Sequence, residues 1–135
     1  MEAKNGMDYA LGSLHFGAIG AHQIINGGTG AQLADGFHVY ALEWEPDRMR
    51  WYLDGRQFLQ ASSSNGTGAL PGWYTAGAGS TNPHAPFDTP FHLLVNLAVG
   101  GNFPWVDPSA VAQTLAAGPR CMHVDYVRVY GRPYR

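Results

Sequence analysis

The chain has 135 residues, of which 45% are hydrophobic, 13% aromatic and only 13% charged. This balance is typical of a folded soluble domain and argues against a disordered segment. Eight Lys and Arg stand against ten Asp and Glu, so the formal net charge is -2 and the sequence offers no basic surface for nucleic acid or an anionic membrane. No apolar run approaches the roughly 18 residues of a membrane span, and the single Cys121 excludes an internal disulfide.

The first half of the chain has the pattern of short strands joined by turns. Apolar and alternating residues predict strands in four segments: Tyr9–Phe16, Phe37–Trp44, Met49–Leu53 and Gln57–Leu59. The first segment contains Gly12 and Ser13, where we expect an irregularity. Asp54-Gly55 separates the last two segments, and this dipeptide provides the positive φ angles of a two-residue hairpin turn.

The second half alternates long loops with two more strands. Residues 60–90 are rich in Gly, Ser, Thr, Asn and Pro, which predicts a long surface loop. Phe91–Val99 is the strongest strand pattern in the chain, and we expect its apolar odd-numbered face in the core. A second loop covers residues 100–119 with one helical turn at Ser109–Leu115, and Cys121–Tyr130 closes the chain as a strand.

At least six strand segments joined by turns and long loops predict an all-β fold, an antiparallel β-sandwich. A complete two-sheet sandwich of the jelly-roll kind with loops of this length normally needs about 200 residues or more. We therefore expect part of the sandwich to lie outside this sequence.

Sequence motifs of several common active sites are absent from the chain. It contains no phosphate-binding loop, no His-Glu-x-x-His and no Gly-x-Ser-x-Gly, and its six histidines have no metal-ligand spacing. Glu43 and Glu45 stand two residues apart on a strand, with Cα atoms roughly 6.5 to 7 Å apart, a separation compatible with the carboxylate pair of a glycosidase. Trp44 must then point to the opposite face, so the favoured interpretation of both glutamates is a solvated face beside a turn.

Four blocks carry the clearest signature of the chain, and in chain order they are Asp35–Asp47, Trp51–Gly55, Pro86–Pro104 and Val124–Tyr130. In sequence and order these blocks resemble the laminarinase-type members of glycoside hydrolase family 16. The resemblance extends from Met1 to Tyr130. It implies a concanavalin-like jelly roll, an antiparallel β-sandwich incomplete at its N-terminus, of which residues 1–135 are the C-terminal part of a single glycoside hydrolase domain.

The chain opens with Met1-Glu2-Ala3, which is similar to the end of the family signature Glu-Ile-Asp-Ile-Met-Glu and its continuation. By that resemblance Glu2 is the general acid/base. The nucleophilic glutamate and the aspartate between them would lie five and three residues before Glu2, upstream of residue 1. A bulge explains the spacing, because one extra residue keeps the last carboxylate on the face of the cleft. We therefore expect residues 1–135 to be inactive in isolation.

The resemblance also implies the reaction and the residues that bind the sugar chain. We expect hydrolysis of internal β-1,3 or mixed β-1,3/1,4 glucan linkages by a retaining double displacement, without a cofactor for catalysis. Glu2 would protonate the leaving oxygen and then deprotonate the incoming water. By the resemblance the residues expected to contact the substrate are His15 and Asn96, and the flat aromatic faces that sugar binding favours add Trp105, Trp73 and Trp44. The alternatives are a buried structural role for His15 and a place in the core for Trp44 and Trp51.

Asp125 matches an aspartate that in many family members helps to bind a structural calcium. Because the remaining ligands would come from outside this sequence, we expect no competent calcium site in residues 1–135. Family members are mostly secreted, so the full-length protein is expected to be extracellular or periplasmic, with β-glucan as its partner. Unpaired strand edges should promote self-association. The alternative function is a non-catalytic β-glucan-binding module or a lectin-like remnant.

Overall fold

The computed structural model describes residues 1–4, 8–63, 72–73, 82–99 and 107–131. Within them it contains seven strands and one helix, and the chain divides into two compact units, residues 1–92 and 93–135. The strands of the first unit are β1 Glu2–Lys4, β2 Tyr9–Ala18, β3 Ala21–Gly30, β4 Tyr40–Glu45, β5 Arg48–Leu53, β6 Arg56–Ser63 and β7 Gly72–Trp73. The helix of the second unit is α1, Pro108–Ala116. No helix of the described part is long and apolar enough to cross a membrane.

Two sheets form the first unit. β1, β2 and β3 make the first sheet, and β4, β5, β6 and β7 make the second, in which β6 and β7 pair in parallel and the other neighbours antiparallel. β2 and β3 pair along their whole length, from Tyr9 opposite Gly30 to Ala18 opposite Ala21. This long ladder makes β2 and β3 the most extensively paired strands of the first sheet.

The core lies between the two sheets, because each sheet turns one apolar face inward. In β2 and β5 every second residue is buried, as expected for strands with one face in the core. The main cluster consists of Leu14, Phe16, Met49, Trp51, Leu59, Ala61, Trp73 and Phe87. A smaller cluster contains Ala10, Leu33 and Leu53. Because the even-numbered residues of β2 are held in the core, its odd-numbered residues point away from it.

The structure confirms the all-β sandwich and most of the strands predicted for the first unit. The predicted segments Tyr9–Phe16, Met49–Leu53 and Gln57–Leu59 lie in β2, β5 and β6. The strand predicted from Phe37 begins later, since β4 starts at Tyr40.

Two local predictions are also confirmed. Asp54 with φ 48° and Gly55 with φ 77° form the turn between β5 and β6, so both residues of this hairpin turn have positive φ as the Asp-Gly dipeptide indicates. The helical turn predicted at Ser109–Leu115 lies in α1. Asp107 caps this helix, because its carboxylate accepts a hydrogen bond from the Ser109 amide at 2.8 Å.

β3 is a strand that the sequence analysis did not predict. Its residues, Ala21–Gly30, include Gly27, Gly28 and Gly30 and show no regular alternation of apolar side chains. The strand forms because a two-residue turn, Ile19-Gly20, returns the chain directly beside β2, and Gly20 supplies the positive φ of 81° that this turn uses.

Two segments predicted as strands are not strands in this structure. Residues 91–99 and 121–130 pair with no described strand. Their apolar side chains are exposed, with Leu93 at 67% and Val95 at 55% of full exposure. The prediction that the odd-numbered face of Phe91–Val99 lies in the core is therefore wrong for this structure. Alternation shows which face of a strand would be buried, but the strand itself also needs a hydrogen-bonded partner.

Candidate active site

The outer face of the first sheet is the side of β1, β2 and β3 that is turned away from the core. Glu2 on β1 pairs with Leu11 on β2, and residues that pair directly project to the same side of a sheet. Leu11, Ser13 and His15 alternate along β2 with its buried even-numbered residues, so they project to the outer face. Glu2, which is exposed, therefore shares this face with His15.

Glu2 and His15 lie at different places on the outer face. Leu11, the pairing partner of Glu2, is four residues from His15, which is about 13 Å along a strand. The two side chains therefore do not act on the same atoms of a ligand. His15 is exposed, so the alternative of a buried structural histidine is wrong.

His15 makes a specific contact across the hairpin of β2 and β3. Its Nδ1 atom lies 2.9 Å from Nε2 of His22, and the two ring planes are only 20° apart with centroids separated by 5.1 Å. One nitrogen donates its N–H and the other accepts, so the tautomer of one ring fixes that of the other. His22 is thus a second histidine that the sequence analysis did not single out.

An aromatic side chain on the outer face was also missed. Tyr9 is two residues from Leu11 on β2 and is 37% exposed. Its ring covers Gly28 of β3, because a Cβ atom on that glycine would lie 2.5 Å from Tyr9 Cε1 and 2.6 Å from Cζ. The missing side chain at Gly28 thus makes room for the ring against the sheet. The sequence signal was Tyr9 itself, two residues from Leu11 in a predicted strand.

Trp73 does not lie at a surface where sugar could stack. Its side chain is fully buried, its Nε1–H donates to the carbonyl oxygen of His84 at 3.2 Å, and its ring meets Phe87 edge-on. The assignment of Trp73 as a stacking residue is therefore corrected to a core residue. Trp51 is 3% exposed, which confirms the core alternative for it. Trp105 lies outside the described residues.

Trp44 is 41% exposed, so its ring is neither a core element nor fully in solvent. It pairs with buried Met49 and therefore projects to the core side of the second sheet, away from the outer face that carries Glu2. Its Nε1–H donates to the carbonyl oxygen of Phe87 at 2.9 Å, and Phe91 packs edge-on against the ring. The structure does not bring Trp44 and Glu2 together.

Asn96 and Asp125 belong to the second unit, in stretches without regular secondary structure, and both are exposed. No group of three His, Cys, Asp or Glu side chains that could hold a metal ion occurs among the described residues. Calcium takes about six to eight oxygen ligands. The calcium role that the resemblance implies for Asp125 therefore stays a prediction.

Glu43 and Glu45 are tied to neighbouring side chains of the second sheet. Glu43 Oε2 accepts hydrogen bonds from Arg50 Nη1 at 2.8 Å and from the Tyr52 hydroxyl at 2.7 Å. Arg50 Nη1 also lies 3.6 Å from Glu45 Oε2. The hydrogen bond to Glu43 raises the pKa of Tyr52. These contacts support the interpretation of the pair as a polar sheet surface beside a turn rather than a catalytic pair.

Comparison with known proteins decides the family. The family model described as glycosyl hydrolases family 16 matches residues 12–83, which is more than half of the chain. The chain belongs to glycosyl hydrolase family 16. The matched range runs from within β2 to beyond β7, and Glu2 on β1 precedes it.

Several curated proteins are similar to this family-16 chain. A protein of Niallia circulans named glucan endo-1,3-beta-glucosidase A1 is 38% identical over 96% of this chain and 18% of its own length. A beta-glucanase of Rhodothermus marinus is 39% identical over 70% of this chain and 28% of its own length. A beta-1,3-glucan-binding protein of Penaeus monodon is 36% identical over 93% of this chain and 44% of its own length. The chain thus spans less than half the length of each of these relatives, and no solved structure matches it.

The range matched by the family-16 model also contains a histidine held between two carboxylates. His38 Nδ1 lies 2.8 Å from Asp54 Oδ2, and His38 Nε2 lies 2.9 Å from Asp35 Oδ1. The other oxygen of Asp54 accepts a hydrogen bond from the Val39 amide at 2.8 Å. The bonds to Asp54 and then Asp35 raise the pKa of His38, and the bond from His38 lowers the pKa of Asp54. This cluster joins the segment before β4 to the β5–β6 turn, so its role is structural.

Proposed function

We propose that this protein hydrolyses internal β-1,3 or mixed β-1,3/1,4 glucan linkages by a retaining double displacement. The family match and the relatives named endo-1,3-beta-glucosidase and beta-glucanase support the substrate class. The observation that carries the proposal is the position of Glu2. Its side chain is exposed on the outer face of the first sheet, where a polysaccharide has access to it.

In this mechanism Glu2 protonates the leaving glycosidic oxygen and then removes a proton from the incoming water. A retaining reaction also needs a nucleophilic carboxylate about 5 to 5.5 Å from the acid/base. By the family resemblance that glutamate occupies the position five residues before Glu2, which residues 1–135 do not include. We therefore propose that residues 1–135, expressed as a separate chain, do not complete the cleavage.

Tyr9 is the aromatic side chain that we propose as a sugar-stacking platform beside Glu2. It is two residues from Leu11, about 7 Å along the strand, and so lies closer to Glu2 than His15 does. Pyranose rings pack their C–H groups on flat aromatic faces and release water. His15 would contact a more distant part of the glucan, and Asn96 and Trp105 remain proposed contacts, whereas Trp44 projects to the core side of the second sheet.

The acid/base assignment is tested by reducing-end release from laminarin and lichenan. Two chains are compared, residues 1–135 and the same chain preceded by Glu-Ile-Asp-Ile, each with Glu2 and with Glu2→Gln. We expect release only from the extended chain that retains Glu2. Release that is equal in the Glu2 and Glu2→Gln chains would refute the assignment of Glu2 as acid/base.

A glucan-binding role without cleavage is the second candidate function. The observation that favours it is the likeness to the relative named beta-1,3-glucan-binding protein, which extends over 93% of this chain. Affinity electrophoresis in gels that contain laminarin separates the two functions. Retardation by laminarin with no reducing-end release from either chain supports binding only. Tyr9→Ala should abolish the retardation and Tyr9→Phe should retain it, because the phenylalanine keeps the ring face.

We also propose that the full-length protein acts outside the cytoplasm, in the extracellular space or the periplasm. The proposal follows from the family resemblance, because members of family 16 are mostly secreted. Fractionation of the native source with an antibody against residues 1–135 tests it. Recovery of the protein only in the cytoplasm would refute it.

A further inference from the structure

The His15–His22 pair joins two side chains of the outer face, of which His22 has no part in the proposed hydrolysis. Both side chains are exposed, yet their rings are held in register with 2.9 Å between Nδ1 of His15 and Nε2 of His22. The planes are 20° apart, so the two nitrogens face one another across the gap between β2 and β3. A hydrogen bond between exposed neutral side chains contributes little to stability. The close approach of the two rings is therefore available for a function other than stabilising the fold.

The backbone around the pair is firmly fixed. β2 and β3 are joined by the two-residue turn Ile19-Gly20, and Ala18 pairs with Ala21 immediately before it. Gly17, which pairs with His22, has a φ of 99° that side-chain-bearing residues rarely adopt. The two Cα atoms are thus placed by a short hairpin, while exposed imidazole rings on them can turn about χ1 and χ2.

The separation of the two nitrogens matches the needs of a metal ion. Imidazole nitrogen binds zinc at about 2.0 to 2.1 Å. Two such ligands that subtend an angle between a right angle and the tetrahedral angle are about 2.9 to 3.3 Å apart. The observed 2.9 Å between His15 and His22 lies at the lower end of this range. Each ring must turn away from the head-on hydrogen-bonded arrangement to bring both lone pairs to bear on one ion in place of the shared hydrogen.

We propose that His15 Nδ1 and His22 Nε2 chelate one divalent transition-metal ion of the borderline class, Cu²⁺, Zn²⁺ or Ni²⁺. Because no third His, Cys, Asp or Glu completes a metal cluster among the described residues, water fills the remaining positions. The site is therefore open and reversible, unlike a closed structural zinc site. Imidazole pairs bind Cu²⁺ more tightly than Ni²⁺ or Zn²⁺. Binding weakens in acid, because both coordinating nitrogens must be free of protons.

The test is titration of residues 1–135 with CuCl₂ and with ZnCl₂, followed by calorimetry and by histidine-selective NMR. We expect one ion per chain, with the ring signals of His15 and His22 shifting first. His22→Gln and His15→Gln should each weaken binding roughly tenfold or more, since one imidazole then holds the ion without its partner. His123→Gln, at an exposed histidine of the second unit, should leave the affinity unchanged.

Either of two affinity results would overturn the proposal. The first is an affinity for the metal ion that is the same in His22→Gln and in the unmodified chain. The second is an equal loss of metal affinity in His22→Gln and His123→Gln, which would show non-specific binding to surface histidines. Circular dichroism of each variant separates loss of the site from loss of the fold. If a variant fails to fold, the NMR shifts of the unmodified chain decide, because shifts spread evenly over all histidines also refute the site. The experiment does not depend on glucan hydrolysis and so stands or falls separately from it.

Discussion

A pair of glycines on the first sheet lies against side chains of the second sheet, which makes a graded series of alanine substitutions informative. Gly12 on β2 pairs with Gly27 on β3. A Cβ atom on Gly12 would lie 2.9 Å from Cδ1 and 3.0 Å from Cγ of Trp51, and 3.1 Å from Cε2 of Phe58. A Cβ atom on Gly27 would meet Leu59 Cδ1 at 2.9 Å but the next atoms of that side chain only at 3.7 Å.

The rigidity of the contacted atoms decides the magnitude. The indole of Trp51 is 3% exposed and lies within the main cluster, so it cannot move aside. Inserting a methyl group into such packing costs about 1 to 3 kcal/mol. Restricting the unfolded chain by Gly→Ala returns about 0.4 to 1 kcal/mol. The free energy of unfolding should therefore fall by about 0.5 to 2 kcal/mol for Gly12→Ala, and by less for Gly27→Ala because the end of a leucine side chain can turn away.

Gly30→Ala is the matched control. Gly30 also lies in β3, its φ is not positive, and an added Cβ atom would meet nothing within 4 Å. Urea unfolding monitored by circular dichroism should show Gly30→Ala as the most stable variant, Gly27→Ala as intermediate and Gly12→Ala as the least stable. Thermal midpoints should follow the same order, at roughly 4 °C for each kcal/mol. Equal stability of Gly12→Ala and Gly30→Ala would refute the argument that Trp51 limits the distance between the sheets.

Three further predictions concern charge and exposed surface. The raised pKa of His38 stabilises the fold fully below the ordinary His pKa of 6.5, and this stability is lost as pH rises through the raised value; the lowered pKa of Asp54 stabilises the fold above pH 3.8, and this stability is lost in stronger acid. His38→Gln should therefore lower the thermal midpoint most between pH 3.8 and 6.5. A decrease in midpoint that does not depend on pH would contradict this. Glu43→Gln should lower the pKa of Tyr52, so that phenolate absorbance develops at lower pH, and Tyr52→Phe should remove this part of the absorbance change. An unchanged phenolate titration in Glu43→Gln would contradict the hydrogen bond between Tyr52 and Glu43. The double substitution Leu93→Lys and Leu97→Lys should reduce self-association measured by analytical sedimentation, since both leucine side chains are more than half exposed. An unchanged distribution of sedimentation coefficients would show that the self-association surface does not include these leucines.

Strands with a regular apolar face and a clear turn could be predicted from the sequence. β5 satisfies both conditions, because its alternation ends at Asp54-Gly55 and its inner residues are buried. β3 satisfies neither, since Gly27 interrupts its inner face and it depends on the ladder with β2. Residues 91–99 show the opposite failure. Their alternation is strong, but a ladder is a property of two segments, and no described strand pairs with this one.

The tryptophans and histidines of the site show why exposure is harder to predict than secondary structure. Trp73 stands in a Gly-rich stretch that is typical of a surface loop, yet its parallel pairing with Ser63 carries it into the core. His15 and His22 are seven residues apart, a spacing with no meaning until the turn at Gly20 is known. Family resemblance identified Glu2 and His15 as residues of interest. The distance between them depends on register, which the alternation pattern alone does not supply.

The placement of Glu2 depends on the least supported strand of the first sheet. β1 pairs with β2 through three residues, whereas β2 and β3 pair through ten. The buried residues of β2 hold Tyr9 and His15 in place through the core, but neither Glu2 nor Ala3 of β1 belongs to either core cluster. A short strand at the edge of a sheet, without buried side chains, opens more readily than a central one. The outer surface of β2 is therefore set by the packing of residues 8–63, while the direction of the Glu2 carboxyl is set by three pairs of backbone neighbours. Any segment that pairs with the other edge of β1 would order Glu2 without changing the core, so the acid/base role proposed for Glu2 is more sensitive than folding to what lies beside β1.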